Sequence, residues 1–321
     1  MEEKKLYPLG FCTLADEYGW GTDEFLLADL GYRDSLIREG WLAGNAISEI
    51  MDTYLDRVVG DNTFSYWGRQ FPVQIKRIDV RGTMPLRVHP DTETAEQRFD
   101  FLGRRKIWYV LKASPDSRLL VGWNHDTDAS EVYSASLDGS VRGILREFTP
   151  MPGRFIHIPA GTPHAACGKV ELLEVSESSP LDFCLSGMGE PVHPDEFDES
   201  LNLVDALDFI DYRAFGGQME NPSGVFADYP EFVVRQIDLH SPATVDGSPD
   251  AFVIYVCTSG SAVLQLEVLG QKVNYSLKAG KALLVPAECE GFALIPEEKG
   301  TGLLQITVPF REQRDSYTGK S

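Results

Sequence analysis

"FPVQIKRIDVRGTMPLRVHP", residues 71–90, holds two short β-rich runs with Arg-Gly-Thr between them. The same texture continues downstream in "IWYVLKA", "SRLLVGW", "GRFIHIPAG" and "VELLEVSE", separated by Gly, Pro, Asp and Ser. Short strands at short spacing are the pattern of a sandwich or barrel. One helix is expected within "DASEVYSASLDGSVRGILREF" (128–148) and a second helical stretch within "DEFDESLNLVDALDFI" (195–210). Strands resume with "FVVRQIDL", "AFVIYVCTSG", "SAVLQLEVL", "QKVNYSLKAG", "KALLVPA", "GFALIPE" and "GLLQITVPF". Upstream, "NAISEIMDTYLDRVV" (45–59) repeats apolar residues at helical steps, with Asn45 placed to cap it and Gly60 to end it. The chain therefore reads as helix, β-block, helix, β-block.

Its 321 residues suffice for two domains of about 100–200 residues each. A hydrophobic content of 43% allows a sizeable core. A net charge of −20 argues against nucleic acid or an anionic membrane as partner, because both need a basic surface. An anionic small molecule would need a local basic pocket inside this acidic field. No apolar run reaches the roughly 18 residues of a membrane span, and "MEEKKLYPLG" lacks a signal-peptide core. Five dispersed cysteines (Cys12, Cys167, Cys184, Cys257, Cys289) fit free thiols in a reducing cytoplasm.

Two histidines stand at strand ends. His89 precedes Pro90, and in "IPAGTPHAACG" the Pro159, Gly161 and Pro163 turn aims His164. Inside one barrel they could converge as ligands for zinc, iron, manganese or nickel, or each could be a satisfied core or turn residue. His157 is a possible third ligand, if strand alternation turns it the same way. His125, in "GWNHDTD", reads as surface, and His193 and His240 as structural. "RRKIWYVLKA" (104–113) runs a basic triplet, Arg104, Arg105 and Lys106, into an apolar strand; the ordinary reading is a solvated rim.

"FPVQIKRIDVRGTMPLRVHPD", "PAGTPHA", "YGWGTDEFLLADLG" and "GWLAGNAISEIM" together resemble the type I mannose-6-phosphate isomerases, over about residues 8–190 and more loosely beyond. The resemblance implies a mainly β protein of two cupin (jelly-roll) barrels with helical N-terminal and inter-domain segments. It implies an aldose–ketose isomerase that interconverts mannose 6-phosphate and fructose 6-phosphate with one divalent metal, normally zinc. The family's metal is held by a Gln and a His two residues apart, a Glu just before a Trp-Tyr pair, and the His of the PAGT-x-HA turn. Here the histidines persist as His89 and His164, but the Gln position holds Arg87 and the Glu position Lys106. Neither guanidinium nor ammonium ligates a metal, and two cations repel one. Downstream, Glu174 matches a family Glu, while Ser176, Pro180 and Cys184 replace a Gln, an Asp and an Arg. Lys76 matches a family element and is a candidate to reach substrate; its plainer role is a barrel-mouth lysine paired with Asp79 or a glutamate.

These substitutions make a sugar-phosphate-binding homologue with a degenerate metal site and no cofactor the leading expectation. Arg87 and Lys106 would bind a phosphorylated hexose or similar anion, and Lys76 and Glu174 are the catalytic candidates. The alternative is a working isomerase, using zinc or another divalent metal on His89, His164 and His157, or using Arg87 and Lys106 as electrophiles for an enediolate. In a third reading Arg87 or Lys106 pairs with Glu174 and only fills space. The expected division is 1–190, a cupin carrying the site; 191–222, a helical connector; and 223–321, a second cupin. In that second cupin "ECE" follows "VPA" where a ligand histidine would stand, so it is expected to be a structural partner.

Overall fold

In a computed structural model of the chain, residues 4–189, 202–248, 250–268 and 270–310 are described. Contacts group the chain into two units, Leu14–Phe25 with Gln74–Asn221, and Met1–Thr13 with Leu26–Val73 and Pro222–Ser321. The division expected from sequence, a cupin at 1–190, a connector at 191–222 and a cupin at 223–321, is contiguous, whereas this grouping is not, since Leu26–Val73 goes with Pro222–Ser321.

The unit that carries the candidate site is built on two sheets. One runs in the order Leu14–Tyr18, Gly21–Leu27, Val73–Val80, Val170–Glu177, Lys106–Ala113, Phe155–Ile158. The other runs Phe183–Ser186, Leu86–Val88, His164–Cys167, Arg118–Trp123, Leu145–Phe148. Alternate residues of both sheets meet in one core. Ile78, Val80, Trp108, Val110, Ile156, Ile158 and Leu172 come from the first sheet, and Leu119, Val121 and Ala166 from the second. The outer face of the second sheet buries Leu86, Val88, Leu120 and Phe183 beneath the expected helix, Ala129–Asp138, through Val132 and Ala135. The Asp128 side chain caps that helix by accepting from the Glu131 N–H at 2.9 Å.

The inward faces turn polar toward one end. Lys76 keeps the phase of Ile78 and Val80, and Lys106 that of Trp108 and Val110. Glu174 and Ser176 keep the phase of Leu172, and His164 that of Ala166. A sandwich that is apolar through its middle and ionic at one end is what places the site.

In the other unit, one sheet runs Leu9–Gly10, Ala282–Val285, Val253–Ser259, Thr301–Thr307, Val233–Leu239, Val225–Asp228. A second runs Ala243–Asp246, Gly291–Pro296, Ser261–Val268, Gln271–Lys278. They close over Tyr255, Cys257, Leu264, Leu283, Phe292 and Leu303. The helix expected over 45–59 forms at Ile47–Tyr54, but Asn45 does not cap it. The Asn45 side chain donates back to the Leu42 carbonyl, and Glu49 accepts the Ala46 N–H. The chain breaks at Leu55 (φ +49°), and Gly60, at φ +91°, ends the next turn as expected. A Cβ at Gly60 would stand 2.2 Å from the Asp250 carbonyl carbon, so only glycine fits there.

Two helices arise where none was expected, Asp61–Trp67 and Thr92–Phe99. The second is capped by the Asp91 carboxylate, which accepts the Thr94 N–H at 2.7 Å. Of the stretch 195–210, Leu203–Ala206 is a single helical turn; residues 190–201, which include the start of that stretch and His193, lie outside the described residues. All five cysteines are free, and among the described residues no helix is long and apolar enough to cross a membrane.

Candidate functional site

The turn before His164 fixes the centre of the site. Gly161 lies at φ +75°, its N–H donates to the His89 carbonyl at 2.8 Å, and its carbonyl accepts from the Asp211 N–H at 2.9 Å. A Cβ there would meet the Phe209 carbonyl oxygen at 2.7 Å. The His164 Nδ1–H donates to the Thr162 carbonyl at 2.9 Å, which leaves the Nε2 lone pair free to accept.

The Lys106 ammonium takes that lone pair. It is 1% exposed and lies 3.2 Å from His164 Nε2 and 3.3 Å from Glu174 Oε2. Trp108 is the cross-strand neighbour of Glu174 and donates its indole N–H to Oε2 at 2.8 Å. Arg104 donates to Glu174 Oε1 at 3.1 Å, with Lys76 Nζ 3.8 Å from the same oxygen. Lys76 pairs with Asp23 at 2.7 Å. Across the sandwich, Arg87 is in register with both His164 and Cys184. Arg87 donates to Asp182 Oδ2 at 3.2 Å, and Arg104 forms an ion pair with the same oxygen at 3.3 Å.

Burial sets the protonation states together with these pairings. It pushes the Lys106 ammonium down, Glu174 partly restores it, and the result is about 8. Burial, then the Lys106 charge, lowers His164 to about 3, and the same two causes hold His89 well below its ordinary value. Both imidazoles are therefore neutral at pH 7. Burial alone would raise the Glu174 carboxyl, but Lys106, Lys76 and Arg104 together hold it well below the usual carboxylate range. Asp182 is held down in the same way, against burial, by Lys106, Arg104 and Arg87. Four buried cations thus face the buried carboxylates of Asp23 and Glu174 and the partly buried one of Asp182. Excess positive charge in a low-dielectric interior favours an anion.

Several polar atoms here have no hydrogen-bond partner among the described residues: both ring nitrogens of His89, Ser176 Oγ, Gln74 Oε1 and Asp182 Oδ1. Each buried orphan costs about 1–3 kcal/mol. His89→Leu is therefore expected to raise stability by about 1 kcal/mol. His164→Leu removes two made interactions and is expected to lower it by about 2–3 kcal/mol. Urea denaturation of the two variants checks this, and an equal loss in both would mean that His89 has a partner this arrangement omits.

The residues do not fit zinc. A zinc–imidazole bond is about 2.0–2.1 Å, and the His164 nitrogen that would make it already accepts from an ammonium. Among the described residues no group of three or more His, Cys, Asp or Glu side chains is placed to hold a metal ion. The His89 and His164 rings are neighbours, with centroids 5.2 Å apart. His157 does not join them, because Ile156 and Ile158 take the inward positions of its strand. It lines a separate pocket of about 390 Å³ with Gly122, Pro163, Asp211 and Phe215.

The structure brings Lys76, Arg87, His89, Lys106, His164 and Glu174 together at the polar end. It corrects one sequence reading and part of another. Of the partners expected for Lys76, the glutamate is present, Glu174 at 3.8 Å, but Asp79 is not: the closer partner is Asp23 at 2.7 Å, and Asp79 lies on the opposite strand face beside Arg81. Arg104 is no solvated rim: it is buried and bridges Glu174 to Asp182. Sequence reasoning missed Arg104, Asp182 and Asp23 as members of the site. Arg104 is in phase with Lys106 and Trp108, and Asp182 with Cys184, and those spacings were the available signal. His125 is exposed and lies against Glu131, and His240 is exposed.

No family model matches the chain. It is 28% identical over 287 residues to "Probable mannose-6-phosphate isomerase GmuF" of Bacillus subtilis, covering 86% of this chain and 85% of that one. To the mannose-6-phosphate isomerase ManA of the same organism it is 26% identical over 200 residues, 56% of this chain and 60% of that one. Its fold superimposes on the crystal structure of a mannose 6-phosphate isomerase from Bacillus subtilis with a TM-score of 0.78 at 21% identity, covering 95% of this chain and 100% of that one. A point mutant of phosphomannose isomerase from Salmonella typhimurium gives 0.73 at 13%, with coverages of 95% and 100%. The two β-sandwich units are the cupin fold of these enzymes. The chain thus shares the fold of these mannose-6-phosphate isomerases and is similar in sequence, at 28% identity, to one of them along most of its length.

Proposed function

We propose that this chain binds a phosphorylated hexose, or an anion like it, at a metal-free, cation-lined site and carries out no metal-dependent isomerisation. The observation that carries the reading is the Lys106 ammonium, 3.2 Å from His164 Nε2 and 3.3 Å from Glu174. It uses the donor atoms that a divalent ion would need. Arg87 and Lys106 supply the attraction for the phosphate, and the site works in the cytoplasm, where the free thiols stay reduced.

A second reading, a working isomerase with Arg87 and Lys106 as electrophiles, has one observation in its favour. Lys106, at about 8, could exchange a proton near neutral pH. Against it, the candidate bases are poor ones. His164 protonates only near 3, and Glu174 is well below the usual carboxylate range. A base works best with a pKa near the operating pH.

Calorimetric titration of metal-stripped protein with mannose 6-phosphate tests the binding claim. Binding is expected, weakened by salt and by Arg87→Ala, with neutral mannose much weaker. Affinity indifferent to Arg87→Ala would reject Arg87 as the phosphate contact.

A further inference from the structure

Asp182 differs from the buried carboxylates of the network. Glu174 sits within a strand and takes contacts on both oxygens, from Arg104, Trp108 and Lys106. Asp182 lies in the irregular segment between the strands ending at Glu177 and beginning at Phe183. It meets Arg87 and Arg104 through one oxygen only, and its other oxygen has no hydrogen-bond partner among the described residues. Its side chain is 9% exposed, against 3% for Arg87, 5% for Arg104 and 1% for Glu174. It is the outermost member of the ionic network.

From this geometry we infer that Arg87 and Arg104 form a two-arginine clamp for a phosphate group and that Asp182 is its built-in competitor, occupying the clamp until a ligand displaces it. The inference rests on the anion-binding reading above and adds the ligand's point of attachment. A phosphomonoester has three terminal oxygens and carries up to two charges, so it can pair with both guanidinium forks, where Asp182 gives each a single contact through a shared oxygen. Displacement is local, because Asp182 belongs to no strand, while the arginines stay anchored. Arg104 keeps its bond to Glu174, and Arg87 lies on a strand between His164 and Cys184. An internal competitor lowers apparent affinity by the fraction of time it holds the site.

The test is calorimetric titration of wild type, Asp182→Asn and Asp182→Asn/Arg104→Met with mannose 6-phosphate and, separately, with inorganic phosphate. Asp182→Asn keeps the volume and removes the charge. It is expected to bind both probes about tenfold more tightly than wild type, and Arg104→Met is expected to cancel the gain. Tighter binding of inorganic phosphate alone would support the clamp and reject the hexose phosphate as ligand. Equal binding of mannose 6-phosphate by wild type and Asp182→Asn would overturn the clamp and leave the hexose-phosphate reading standing. No binding of either probe by any protein would overturn both. Failure of Asp182→Asn to fold even in phosphate buffer would also overturn the inference, since a displaceable carboxylate is dispensable once phosphate is present.

Discussion

Glu174→Gln is expected to lower the stability of the chain by about 3–5 kcal/mol, the cost of breaking a buried ion pair from one side. Glu174 is 1% exposed and lies within 3.8 Å of three cations, Lys76, Arg104 and Lys106. The amide keeps the shape and can still accept one hydrogen bond, but it removes the charge these three share. Four buried cations would then face two carboxylates, Asp23 and Asp182. Lys106→Met, in contrast, removes one cation from the side in excess, and Glu174 keeps Arg104 and Trp108. It is expected to cost less, about 1–2 kcal/mol, because no carboxylate loses its last cation and only the His164 Nε2 acceptor is left without a partner. Urea denaturation of the two variants measures the contrast. Similar losses in both would mean that the network does not carry the excess positive charge assigned to it.

The second large effect is a gain. Arg87→Gln/Lys106→Glu exchanges both cations for the residue types that the family resemblance puts at those positions. The change frees the His164 Nε2 lone pair, removes two like charges and adds a carboxylate at a strand position that already faces His164. Wild type is expected to retain no zinc after dialysis, and the double variant to retain about one equivalent, since imidazole and carboxylate donors suit that ion. Elemental analysis after gel filtration gives the stoichiometry. Zinc retained equally by both proteins would contradict the assignment of Lys106 as the blocking cation, and retention by neither would mean that more than these two positions separates the site from a metal site.

The sequence revealed the architecture because strand and turn signals are local. The runs from Phe71 to Glu177 and from Phe232 to Thr307 alternate and are punctuated by Gly and Pro, and each became a strand close to its expected place. The hairpin Leu14–Tyr18 and Gly21–Leu27 was not read, since its acidic residues dilute the β signal. Within the site, His89 and His164 were legible as retained members of a familiar motif, and Arg87 and Lys106 as substitutions against it. Arg104 was not, because a basic triplet looks alike whether solvated or buried. Only the phase Arg104, Lys106, Trp108 distinguishes the inward cations from Arg105. Asp23 and Asp182 lie 53 residues before Lys76 and 95 after Arg87, separations at which one sequence gives no pairing signal. The His157 orientation turned on alternation alone, and Ile156 and Ile158 settle it in favour of a position outside the core.

The central claim is that a buried ammonium has taken the place of metal ligation. The most direct test is turnover of mannose 6-phosphate to fructose 6-phosphate by metal-stripped and zinc-supplemented protein, with the His89→Ala/His164→Ala variant as the control for contaminating host enzyme. The account predicts no turnover above that control in either condition, while mannose 6-phosphate still binds. Zinc-dependent turnover that the control lacks would contradict it.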